Sequence, residues 1–182
     1  MAKFPVYKQF DAMDCGPSCL RMIAKYYGKT YSIQTLRDKC FITREGVSLL
    51  GISDAAESIG LRSKGIRITF EQLKADVPKP CIIHWNQKHF IIVYRITNKK
   101  VYVADPAHGL LKYTHDEFIK SWIQDGGDKG LCLLLEKAPD FHLVDDELVD
   151  KSGFKFLFSY INPYKKYIFQ LVIGLLLGSL VL

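Results

Sequence analysis

The sequence predicts an α+β domain, with an early group of helices packed on a later antiparallel sheet. Two observations carry this. Up to Val77 the apolar residues recur mainly at helical spacing; from Cys81 onward, short runs rich in β-branched and aromatic residues take over, separated by turn residues. Composition supplies a third: 48% hydrophobic and 13% aromatic residues in a chain of 182 are enough for a packed core.

Pro17 fits a first helical position, where its missing N–H costs nothing. Leu20, Ile23, Ala24 and Tyr27 follow at helical spacing, and Gly28 is a natural stop. "SIQTLRDKC" reads as a second helix capped by Ser32, and "SLLGISDAAESIG" as a third that closes on Gly60. "TFEQLKADV" gives a short fourth, with Thr69 as its cap and Leu73 buried. Strands follow at "CIIHW" (81–85), "HFIIVYRI" (89–96) and "KVYVAD" (100–105), with turns at Asn86–Lys88 and Thr97–Lys99. "GLLKYT" and "GLCLLLEK" supply further strands around a short helix, "HDEFIKSWI".

Charge divides the chain. Residues 140–150 carry five acids and no Lys or Arg, while residues 151–182 carry four lysines and no acid. We therefore assign a domain at 1–139, an acidic linker at 140–150 and an amphipathic juxtamembrane segment at 151–167. The run "IFQLVIGLLLGSLVL" (168–182) is the start of a first transmembrane helix within which the chain ends, since a bilayer crossing needs ~20 apolar residues. Lysines just before it place the domain on the cytosolic side. The net charge of +6 is scattered rather than clustered with aromatics, which argues against nucleic acid as a partner. Five cysteines, without zinc-ribbon spacing, fit a reducing compartment and no metal site.

Four polar residues stand out by placement: Gln9, Cys15 at the first helix start, His89 opening a strand, and Asp105 ending the next. A three-residue loop would pair Ile96 with Lys100 and Ile91 with Asp105, putting His89 and Asp105 on one face; a two-residue loop would separate them. The odd-numbered loop is the expectation. A helix start favours a thiolate, an imidazolium favours it further, and an acid orients the imidazole. A nearby amide can donate to an oxyanion. Each feature alone also has a structural explanation: a packed cysteine, a core histidine, an Asp-Pro turn. Cys19, one turn after Cys15, is either a packing residue or a resolving thiol, and Cys40, Cys81 and Cys132 read as core. His108 and His115 fall on the loop and helix start after Asp105; Trp122 reads as packing, and Trp85 is open between packing and lining a cleft.

The stretches "YKQFDAMDCGPSCLRMIAKYYG", "REGVSLLGISDAAESIGL", "HFIIVY" and "VADPAHG" resemble the N-terminal C39-type, papain-like peptidase domain of bacteriocin-processing ABC exporters. The resemblance implies a papain-like fold and a cysteine endopeptidase that cuts the leader of a secreted peptide precursor after a double glycine. It implies Cys15 as nucleophile, His89 as general base and acid, Asp105 as orienting acid and Gln9 as oxyanion donor. It also implies a full-length, multi-pass exporter in the cytoplasmic membrane that pairs as a homodimer and faces the cytosol with its peptidase. No cofactor is expected for this part; no GxxxxGK[ST] loop occurs in the 182 residues, so ATP and Mg belong to an ATPase elsewhere. Gly16 is expected to let the scissile carbonyl approach the backbone. The alternatives are a non-cleaving docking domain, or an acyltransferase or transglutaminase with the same relay.

Overall fold

The computed structural model describes residues 4–43, 46–123, 126–144, 165–167 and 170. The chain divides into two units, residues 1–148 and 149–182. Apart from residue 170, the transmembrane run at 168–182 lies outside the described residues, as does the juxtamembrane segment apart from 165–167. Among the described residues, no helix is long and apolar enough to cross a membrane.

In the first unit a 3-10 turn (Ala12–Asp14) runs directly into α1 (Cys15–Tyr26). The helix thus starts two residues before Pro17, which occupies its third position. This is tolerated because the first-turn N–H groups have no intrahelical partner anyway. α1 stops at Gly28, whose φ of +98° allows the left-handed turn. There the N–H of Lys29 bonds the Ala24 carbonyl at 2.9 Å and the N–H of Gly28 bonds that of Lys25 at 3.1 Å. α2 (Ile33–Lys39) and α3 (Leu49–Ser58) start on Ser32 and Ser48, whose hydroxyls accept from Thr35 and Gly51. β1 (Leu61–Ile68) leads to α4 (Phe70–Ala75), where Thr69 and Gln72 form a reciprocal capping box. β2 (Cys81–Trp85), β3 (His89–Ile96), β4 (Val101–Asp105) and β5 (Gly109–Tyr113) form a meander; α5 (His115–Trp122) and β6 (Gly130–Lys137) complete the unit.

The six strands make one antiparallel sheet in the order β1-β6-β2-β3-β4-β5. Alternation splits the core. Ile82, Phe90, Ile92, Ala104, Leu133 and Leu135 face α1–α3, while Ile83, Ile91, Val93, Val103 and Cys132 face α4 and α5. Packing continues into the acidic segment: Phe141 is buried in the α1–α3 cluster, with the Lys29 ammonium 4.1 Å from its ring. The sequence reading missed β1, so helices and strands are not fully segregated. "LRSKGIRI" carries three basic residues and a glycine because it is an edge strand, its middle positions open to solvent and its pairing supplied by β6 about seventy residues later.

Candidate active site

The start of α1 is built by its own preceding turn. Asp11 accepts from the Met13 N–H at 3.1 Å and Asp14 accepts from the Asp11 N–H at 3.2 Å, fixing the approach to Cys15. Asp14 would place a buried negative charge beside the cysteine, but Arg37 from α2 grips both carboxylate oxygens at 2.6 and 2.5 Å. That bond, ahead of a smaller opposing effect of burial, raises the Arg37 pKa. Arg37 was not singled out from sequence, because only the fold brings it to Asp14. Gly16 has a packing role beside the one expected of it. A Cβ there would lie 2.5 Å from Val47 Cγ1 and 2.7 Å from Ile52 Cδ1, so glycine is required for the close approach of α1 to α3.

The hairpin that carries His89 and Asp105 reaches the expected register by an unexpected route. Ile96 pairs with Val101, not Lys100, and Thr97 and Lys100 close a two-residue turn through a 2.9 Å backbone bond. Alone, that even-numbered turn would send His89 and Asp105 to opposite faces. A bulge between Val93 and Arg95 adds one residue to β3, after which Ile92 pairs with Ala104. The next position in that register sets Ile91 opposite Asp105. His89 Nε2 then meets Asp105 Oδ1 at 2.8 Å, and the imidazole also hydrogen-bonds Cys15.

Burial works against a charged imidazole at His89, but the bonds and negative charge of Asp105 and Cys15 overcome it and raise its pKa to about 9. Burial likewise opposes an ionised Asp105. Bonds from His89, from His108 and from the Ala107 N–H prevail, bringing it to about 2. His108 Nδ1 meets Asp105 Oδ2 at 2.9 Å, while the Ala107 N–H reaches Oδ1 at 2.7 Å. The sequence placed His108 on this loop without seeing that it faces back on the carboxylate.

Cys15, His89 and Asp105 are thus joined in one network. Gln9 is tied to it through its backbone, donating to the Pro106 carbonyl at 3.0 Å; its side-chain Oε1 is buried without a hydrogen-bond partner among the described residues. Cys19 is fully buried with its thiol on the Phe90 carbonyl at 3.3 Å, and burial first, then nearby negative charge, pushes its pKa up. It packs. Trp85 lies in the α4–α5 cluster against Tyr113 and Phe118, away from Cys15. Beside Cys15 a cleft of about 570 Å³ is bordered by Met13, Val47, Leu49, His84 and Phe90. Chemically, a thiol at a helix start, bonded to an imidazole that an ionised carboxylate orients, can add to a carbonyl and return a proton to the leaving group.

Residues 3–138 match the family model of the Peptidase C39 family. The chain is 30% identical over 115 residues to a colicin V secretion/processing ATP-binding protein of Escherichia coli, covering 63% of this chain and 16% of that protein. It is 34% identical over 122 residues to a lactococcin-G-processing and transport ATP-binding protein of Lactococcus lactis subsp. lactis, covering 64% and 17%. The chain therefore spans about one sixth of the length of these relatives. Among solved structures, a double glycine motif protease from an AMS/PCAT transporter, in complex with the leader peptide, superposes with a TM-score of 0.70 at 36% identity, over 75% of this chain and 94% of that one. A peptidase domain from the Streptococcus bi-functional ABC transporter ComA gives 0.66 at 27% identity, over 74% and 99%. The α+β fold is the papain-like fold of C39 peptidase domains.

Proposed function

This chain belongs to the Peptidase C39 family, and from that premise we propose that it is a cysteine peptidase that removes the leader of a secreted peptide precursor after a double glycine. The observation that carries the reading is the His89–Asp105 bond of 2.8 Å beside a cysteine at the first position of α1. The Cys15 sulfur, paired with the His89 imidazolium, adds to the carbonyl carbon of the second glycine. His89 passes its proton to the departing amine as the C–N bond breaks and a thioester forms. The neutral imidazole then takes a proton from water, whose oxygen displaces the sulfur, and the leader leaves with a new carboxylate. Asp105 holds the ring in the orientation both halves require.

Gln9 donates to the oxyanion of each tetrahedral intermediate. Its placement supports this: the Gln9 N–H bonds the Pro106 carbonyl at 3.0 Å, which holds the residue beside the Asp105 end of the network, and a side-chain amide there has the donor that an oxyanion needs. The processing and transport ATP-binding proteins that the chain matches support a place in an ATP-driven exporter whose ATP-driven step is carried outside these residues. The lysines before residue 168 support a cytosolic side for the peptidase, and a paired exporter in the cytoplasmic membrane completes the reading.

The test is to incubate the chain in detergent, and its Cys15→Ala variant, with precursor peptides carrying Gly-Gly leaders and to follow masses. A cut directly after Gly-Gly, absent from the variant, is the expected result. Binding of the same peptides by both proteins without any cut would replace the peptidase reading with a docking domain.

A further inference from the structure

A second recess opens beside the Cys15 cleft, and the two share His84, Gln87 and Leu131 as a common wall. It encloses about 190 Å³. Trp122 forms one side: its Nε1 donates to the Leu131 carbonyl at 2.9 Å, and its ring occupies the space that a Cβ on Gly130 would need. Arg67 of β1 and Lys129, just ahead of β6, supply the charge. Among the described residues, neither has an ion-pair partner. Among the described residues, no carboxylate lines the recess or the cleft, and Lys88 adds a third cation at the cleft.

The other side of the cleft is the reverse. Beyond Met13 lies a recess bordered by Asp11, Asp14 and Asp38, where the one cation among the described residues, Arg37, is committed to Asp14. A peptide lying across Cys15 therefore meets unlike charge at its two ends. At the basic end His84 stacks on Phe90 with centroids 5.0 Å apart, and burial, then the charge of Arg67, hold its pKa below the ordinary histidine value. At neutral pH it adds a hydrogen-bonding ring rather than a further charge.

We propose that this recess is a subsite for an acidic side chain of the peptide substrate, an aspartate or glutamate whose carboxylate meets Arg67 and Lys129. The inference rests on the leader-peptidase reading and names a feature of the peptide that the same cleft reads. The guanidinium fork suits a carboxylate, and the walls of Trp122 and Leu131 reduce the water that would screen the pair. Because both cations are largely exposed, the gain is modest and sensitive to salt.

The test uses the full chain in detergent, as the Cys15→Ala variant so that no cut intervenes. Fluorescent Gly-Gly peptides carry a single glutamate walked through each position of an otherwise uncharged sequence, and affinity is read by anisotropy. At one position glutamate should bind about fivefold tighter than glutamine, and high salt should erase the gain. Arg67→Glu with Lys129→Glu should abolish that preference, and lysine at the same peptide position should then bind better than glutamate. Arg67→Gln with Lys129→Gln, a milder pair, must lose the same gain if the reversal disturbs folding. The proposal is overturned if no position prefers glutamate or if the preference survives both pairs. Affinity is read without cleavage, so this outcome and that of the Gly-Gly cleavage assay are independent.

Discussion

On one side of the sheet Cys15 meets an imidazole and, behind it, a carboxylate; on the other, Cys81 and Cys132 meet each other and the backbone. The Cys132 thiol is pushed far up in pKa by its hydrogen bond with Cys81 and then by burial. Burial first, then Cys15, raises Cys40 to about 12. Cys19, on the same helix as Cys15, is raised by burial too. All five thiols are buried, so burial does not distinguish them. What distinguishes Cys15 is a partner whose positive charge survives burial because Asp105 stands behind it. Reactivity here follows charge pairing, and burial alone silences a cysteine.

The hardest test of that contrast is His89→Ala. Removing the partner should make Cys15 resemble the other four cysteines, lowering cleavage by ~10⁴-fold or more. In the native protein, iodoacetamide should label Cys15 well ahead of Cys19, Cys40, Cys81 and Cys132, and in the variant that lead should collapse at neutral pH. Equal labelling of Cys15 and Cys19 in the native protein would break the comparison. Gln9→Ala comes next. It leaves the thiol and imidazole in place but removes the oxyanion donor, so turnover should fall ~100- to 1,000-fold with little change in KM. A change confined to KM would make Gln9 a substrate contact instead.

The contrast between the two faces was partly written in the sequence. Cys15, His89 and Asp105 each sit at the end of an element, and Pro17, the Asn86–Lys88 turn and Pro106 punctuate those ends, so their placement was legible. What joins them was less so. The register that brings Asp105 to His89 depends on a bulge beside Tyr94, which leaves no residue signature such as a glycine. Arg37 reaches Asp14 across twenty-three residues, and no linear spacing announces it. Caps at Ser32 and Thr69 and the stop at Gly28 were read directly, because local hydrogen bonds decide them. β1 was not read, since its pairing with β6 is non-local and its outward positions are charged.

Asp105→Asn sharpens the comparison with a smaller effect. The amide can still orient His89 but no longer supplies charge, so activity near neutrality should fall about tenfold, the equivalent of one pKa unit. The pH profile carries the diagnostic. His89 keeps its proton to about 9 in the fold against an ordinary 6.5, so kcat/KM should fall as pH rises through about 9. In Asp105→Asn that limb should move to lower pH. The same shifts govern stability. The contribution of His89 is complete below pH 6.5 and lost as pH rises through about 9. That of Asp105 is present above 3.8 and lost as pH falls through about 2.

The smallest effect should come from His108, which faces the same carboxylate as His89 yet is 71% exposed. Asp105 Oδ1 already accepts from His89 and from the Ala107 N–H, and the second of these bonds lies within the turn itself. The carboxylate plane is therefore fixed before His108 contributes, and an exposed pair of this kind is worth only ~0.2–1 kcal/mol. His108→Gln, which can still donate to Oδ2, should lower kcat/KM by less than about threefold and leave the alkaline limb in place. His108→Ala should move that limb slightly down, because a bond that helps keep Asp105 ionised is lost. A tenfold loss in His108→Gln with an unmoved limb would mean that His108 touches the peptide directly. The boundary between the charged site and the solvent would then lie one residue further out than Asp105.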